Sequence, residues 1–171
     1  MDELQTKFLK RDRMRFTLNT LSGGLALLAI VFNVFYFVSI YKSDFNFYYN
    51  FDMGISVLMN LVFMLTVFLC AEGVKRYKFG YAVTLLIVGA IEFARIFFLP
   101  LSAHSYELTK KAADGTETVS LVMETPQFIR VVVYLSVAAA LLVAAGVIGI
   151  VRSKQLEKHN AELAATRNAE V

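Results

Sequence analysis

The sequence predicts an all-α integral membrane protein, a four-transmembrane-helix bundle with both termini cytoplasmic. Three observations predict it. Four apolar stretches, at about 16–41, 53–71, 79–101 and 131–151, fill most of the 171 residues. Each is long enough to cross about 30 Å of hydrocarbon at 1.5 Å per residue, and in lipid only a helix satisfies such a backbone. Finally, basic residues gather in alternate hydrophilic segments, which an even number of crossings puts on one side of the membrane.

The first stretch follows Lys7, Lys10, Arg11, Arg13 and Arg15. Basic residues before an apolar run also mark a signal peptide, but this run extends about 26 residues without a charge and ends in no small-residue cleavage site. It is expected to be a retained helix. The second stretch ends at a short connection holding Lys75, Arg76 and Lys78, and the fourth at a tail holding Arg152, Lys154, Lys158 and Arg167. These three basic segments set the orientation. The remaining connections carry mixed or acidic charge: Lys42 with Asp44 and Asp52, then Lys110, Lys111 and Arg130 with Glu107, Asp114, Glu117 and Glu124.

Both outer connections carry further signals. In Asp44–Asp52, Phe45, Phe47, Tyr49 and Phe51 alternate with mostly polar neighbours, the period-two signature of a strand. Aromatics there also suit a belt at headgroup level. In the outer loop 102–130, two β-prone runs flank Asp114-Gly115, which predicts a small extracytoplasmic β-hairpin, with the aromatic segment as a candidate third strand. The tail 152–171 is rich in helix formers and lacks Pro and Gly, so the fourth helix should continue into the cytoplasm. The whole chain, 1–171, is read as one membrane domain, since the apolar stretches leave no room for a separate soluble one.

Composition excludes several functions. With 57% apolar residues the chain is too hydrophobic for an ordinary soluble domain, and its net charge of +3 reflects helix-flanking residues rather than nucleic-acid binding. A lone cysteine, Cys70, rules out an intramolecular disulfide and the paired-thiol chemistry of bilayer oxidoreductases. There is no Trp and no cysteine pair in a long first outer connection, as claudin-like proteins have, and no Glu in the first helix, where small multidrug transporters carry theirs. No zinc spacing, phosphate loop or nucleophile elbow is present, so no cofactor, metal or catalytic residue is assigned.

The residue that stands out is Glu92, in the third stretch and roughly 18 Å along it from Gly80 at 1.5 Å per residue. An intramembrane carboxylate costs about 2.5–3.5 kcal/mol on insertion scales, so it must be protonated, paired or wetted. Arg95, three residues on, shares its helix face and can pair with it, and Arg130 near the start of the fourth helix is a candidate third member. Asn33 and Asn60 lie near mid-crossing of the first two helices. Small residues recur at helical spacing around them: Ser22, Ala26 and Ala29 below Asn33, Ser56 beside Asn60, and Ala82 and Gly89 below Glu92. The fourth helix offers two stripes, Ser136, Ala140 and Ala144, and beside it Ala145 and Gly149. Small residues permit close helix approach and buried amides bond across it. A polar centre of Asn33, Asn60 and Glu92 is therefore expected. His104, just beyond Pro100, is expected at the outer surface.

Two function classes compete. Small-residue faces and the aromatic outer surface suit a non-enzymatic accessory or scaffold subunit that associates with membrane lipids, a membrane-protein partner or further copies of itself. Glu92, Arg95, Asn33 and Asn60 suit a small transporter or channel. An enzyme on lipid-linked substrates would have to rely on Glu92 or His104. The absence of sequons and disulfides points to a bacterial plasma membrane.

Overall fold

The computed structural model describes residues 19–40, 47–105, 107–111, 117–121 and 123–169. Its helices are α1 (Thr20–Ile40), α2 (Phe47–Lys75), α3 (Phe79–Ala94), the short α4 (Leu99–Ser105) and α5 (Thr125–Ala169). Four helical spans are long and apolar enough to cross a membrane: Thr20–Ile40, Phe51–Lys75, Phe79–Phe97 (α3 with the three residues after it) and Thr125–Glu162. Two strands, β1 (Glu107–Lys111) and β2 (Glu117–Leu121), pair antiparallel between α4 and α5, with Thr109 opposite Val119. Asp114 and Gly115 lie outside the described residues.

The second and third helices depart from expectation. Residues 47–52 form the first turns of α2, so the described part of the aromatic segment supplies no third strand. Alternation put Phe47, Tyr49 and Phe51 on one strand face, but Phe47, Phe51 and Ile55 are also spaced by four, and the adjoining apolar helix extends through them. Phe45 lies outside the described residues. The third helix stops at Ala94 rather than continuing to Leu101; Arg95–Phe97 tighten into a 3-10 turn and Phe98 leaves helical geometry at φ −88°, ψ −105°. Pro100 is the cause. Its ring would meet the carbonyl four residues back, that of Ile96, and it supplies no N–H. Placed instead in the first turn of α4, it costs nothing there.

The fourth crossing begins six residues earlier than expected. Pro126 occupies its first turn, and the amides of Gln127 and Phe128 donate to the Glu124 carbonyl at 3.0 and 2.9 Å. Without a helix breaker after Pro126, α5 runs unbroken for 45 residues, about 68 Å at 1.5 Å per residue.

Helix α5 lies along both α1 and α3, α1 also packs on α2, and the α2–α3 seam is the least extensive of the four. At the α2–α3 turn, the Tyr77 amide donates to the Val74 carbonyl and that of Lys78 to Gly73, closing α2 with Tyr77 at φ 57°. The same end is tied by Asn19 N–H to the Lys75 carbonyl (3.0 Å) and Ser153 Oγ–H to the Tyr77 carbonyl (2.8 Å). Close approach is built in at Gly146. A Cβ there would lie 2.7 Å from Leu86 Cγ and 2.9 Å from the Ala82 carbonyl, so only glycine lets α3 and α5 meet.

The interior falls into two apolar clusters. One, nearer the α2–α3 turn, centres on Ala26, Ala29, Val67, Leu85 and Leu142. The other, at the far end, gathers Tyr36, Ile40, Ala103, Met123, Val131 and Leu135. Asn33, Asn60 and Glu92 fall between them or at the boundary of the second, while Ser22 lies at the α2–α3 turn end of the first.

Candidate functional site

Each helix delivers its polar residue by the same rule. On α1, Ser22, Ala26, Ala29 and Asn33 recur every three or four residues and all are buried, so the face that meets the bundle places Asn33 at its centre. On α2, Phe63 and Val67 continue the buried face of Asn60. On α3, Ala82, Leu85, Val88, Gly89 and Glu92 form the buried stripe, and Arg95 follows as the first residue of the 3-10 turn. Antiparallel packing brings the three stripes to one level.

There the guanidinium of Arg95 is the hub. Its Nη1 donates to Glu92 Oε2 at 2.8 Å and to Asn60 Oδ1 at 3.1 Å. Its Nη2 reaches the Ser56 carbonyl at the edge of hydrogen-bonding distance, 3.5 Å. Its Cζ stands 4.9 Å from the ring centre of Tyr36 and 5.2 Å from that of Phe63, so two aromatic faces enclose the cation. Asn60 completes the link to α1 by donating to the Asn33 carbonyl at 3.3 Å, while Asn33 Nδ2 donates to the Ala29 carbonyl at 3.4 Å. Tyr36 and Ser56 share a hydroxyl hydrogen bond of 2.8 Å. The carboxylate of Glu92 is wholly buried and the Arg95 side chain nearly so, at 0% and 9% exposure. Glu92 Oε1 and Asn33 Oδ1 have no hydrogen-bond partner among the described residues.

Thus Asn33, Asn60, Glu92 and Arg95 come together, as a charge-paired layer through three helices. Arg130 does not join them: it is exposed, and its Nε donates to the Pro126 carbonyl of its own helix. His104 is also apart from the layer, stacked on Phe128 with ring centres 4.5 Å apart, its Nδ1 3.0 Å from the Met123 carbonyl. Phe51 is exposed, and Phe47 and Tyr49 take part in α2 through their backbone. Sequence reasoning missed Tyr36 and Phe63. Tyr36 is one turn from Asn33, and Phe63 three residues from Asn60, so spacing was the available signal, obscured by the abundance of aromatics in these crossings.

Two surface concavities flank the layer. A cavity of about 410 Å³ lies in the α2–α3 seam, lined by Tyr36, Asp52, Ile55, Ser56, Met59, Ile91, Ala94, Arg95 and Phe98. A shallower groove of about 540 Å³ runs between α3 and α5, lined by Gly89, Ala90, Phe93, Ser136, Ala139, Ala140, Val143 and Ala144. Of the two stripes on α5, Ala145 and Gly149 face the core, while Ser136, Ala140 and Ala144 line this groove. Neither concavity reaches Glu92. Among the described residues no His, Cys, Asp and Glu cluster could hold a metal ion. Compared with models of protein families, with curated proteins and with solved structures, the chain matches none.

Proposed function

We propose that this is a multi-pass protein of a cell membrane that acts by associating with other membrane components, as an accessory or scaffold subunit. The observation that carries the reading is the α3–α5 groove. Apolar exposure is no signal in a bilayer, because lipid covers it as readily as protein does. The size of the exposed side chains is one: small residues let a second helix bring its backbone close enough for dispersion contacts to exceed those with lipid. Ala90 on α3 and Ala140 and Ala144 on α5 offer such a surface, over a floor of buried Gly89 and Ala139 and beside the larger Phe93 and Val143. The occupant that fits is a transmembrane helix of a partner protein, the only element that can lie there with its backbone satisfied.

The paired state of Glu92 supports the same reading over transport. A carboxylate that relays protons or cations needs a wetted approach, and Glu92 is enclosed with Arg95 as its partner. In orientation, we place both termini and the α2–α3 turn in the cytoplasm, because the basic residues concentrate there, and the β1–β2 pair outside. A bacterial plasma membrane is the setting that the lack of sequons and disulfides favours.

Cysteine crosslinking tests the groove. In a Cys70→Ala background, Ala140→Cys labelled with a maleimide–benzophenone photocrosslinker in native membranes should give one discrete heavier adduct on irradiation, and Leu61→Cys on the lipid face of α2 should not. Ala140→Trp should fill the groove and release the partner during purification in mild detergent while the bundle stays folded. An adduct of twice the chain mass would make the partner a second copy. An Ala140→Cys chain that stays monomeric, or a complex indifferent to Ala140→Trp, would overturn the proposal.

A further inference from the structure

The α2–α3 seam cavity presents its chemistry in a fixed vertical order. Asp52 and Ser56 are four residues apart on α2, so the carboxylate stands one helical turn, about 6 Å, beyond the level of Ser56. At the Ser56 level lie Arg95 and Tyr36, and about one turn further in the walls become Met59 and Ile91. From the end of the bundle away from Lys75 inward, the cavity therefore reads acidic, cationic with hydroxyls, then apolar. A phospholipid with an ethanolamine head, lying in the adjacent leaflet, reads ammonium, phosphate, then acyl chain. We propose that this cavity binds a phosphoethanolamine lipid of the surrounding bilayer, its ammonium on Asp52 and its phosphate on Arg95.

The donors match. Arg95 spends Nη1 on Glu92 and Asn60 and makes a 3.5 Å contact from Nη2; with five N–H groups in its fork it can still offer one to a phosphate oxygen without breaking the buried pair. Tyr36 and Ser56 share one hydrogen bond between two hydroxyls, so one hydroxyl hydrogen remains to donate. Asp52 is exposed and makes no ion pair among the described residues, which fits an ammonium partner and opposes a head carrying net negative charge. The two-carbon link between ammonium and phosphate suits the one-turn separation of the two charged levels. An arginine below the headgroup plane also draws phosphate inward by local thinning of the bilayer. The site is independent of the α3–α5 groove, so either proposal can fail alone.

The test is lipid retention, read by native mass spectrometry of the detergent-purified full chain after exchange into mixed micelles of phosphatidylethanolamine and phosphatidylglycerol in equal amounts. The wild type should keep one phosphatidylethanolamine, at least fivefold over phosphatidylglycerol. Asp52→Asn, at an exposed position with no packing role, should abolish that preference. Ala94→Trp, which fills the cavity from its α3 wall, should lower retention of both lipids at least tenfold with the helical spectrum unchanged. Equal or preferred phosphatidylglycerol in the wild type would overturn the proposal. So would undiminished retention in Ala94→Trp, or an Asp52→Asn chain with the wild-type preference.

Discussion

Removing Arg95 alone from the buried Glu92–Arg95 pair should be more damaging than removing both partners. The pair spans 2.8 Å with almost no solvent contact. At an effective dielectric of about 20 its gross attraction is roughly 6 kcal/mol, but the cost of desolvating two ions offsets most of it. Stranding one buried charge costs about 3–5 kcal/mol, and the lower end applies here, because a chain unfolded within the membrane also finds partners for its polar groups. Arg95→Met should therefore lose about 4 kcal/mol: about 3 from the stranded carboxylate and about 1 from the Asn60 bond and two ring faces. Glu92→Gln should lose about 2 kcal/mol, since the amide oxygen still accepts from Arg95 and its N–H can serve the unpartnered Asn33 Oδ1. The double variant should also lose about 2 kcal/mol, against roughly 6 for independent sites. Reversible unfolding in bicelles, followed by steric trapping, measures all three. Effects that add within about 0.5 kcal/mol would refute the pair as a coupled unit.

Two other outcomes follow from packing. Gly146→Leu should lower stability by about 1–3 kcal/mol by forcing α3 from α5, because its Cβ meets the Ala82 carbonyl as well as the movable Leu86 side chain; thermal unfolding in detergent reads this, and an unchanged midpoint would mean the helices do not touch there. Truncation after Leu156 removes largely exposed residues of α5 but leaves the Ser153–Tyr77 bond, so the midpoint should move by less than about 2 °C; a larger drop would show that the tail packs on the bundle.

Much of this was legible from residue types alone. Crossing lengths could be counted, and the Ser22–Ala26–Ala29–Asn33 stripe identified the buried face of α1 because small and polar residues are informative in lipid. Apolar residues are not. Leu58, Leu61 and Leu65 are exposed while Leu85, Leu135 and Leu142 are fully buried, and no hydropathy pattern separates them when the solvent is itself hydrocarbon. That is why the inward stripe of α5 could not be chosen in advance, and why Tyr36 and Phe63 did not stand out. The alternation at Phe47, Tyr49 and Phe51 misled because Phe47, Phe51 and Ile55 also fit the four-residue spacing of the apolar helix that extends through them.

The break at Phe98 and the buried pair sit on consecutive turns. Pro100 ends regular helix soon after Ala94, and Arg95, first residue of the 3-10 turn, stands three residues beyond Glu92, the spacing at which side chains meet on one helix face. Apolar helices in lipid slide and rotate at little cost because one greasy face replaces another. Hydrogen bonds from Arg95 to α2 and from Asn60 to α1 have no such freedom, so the polar layer fixes the register that the two apolar clusters leave weakly specified. Arg95 also lines the thinnest helix contact, the α2–α3 seam, so that one side chain serves both the interior lock and the cavity wall.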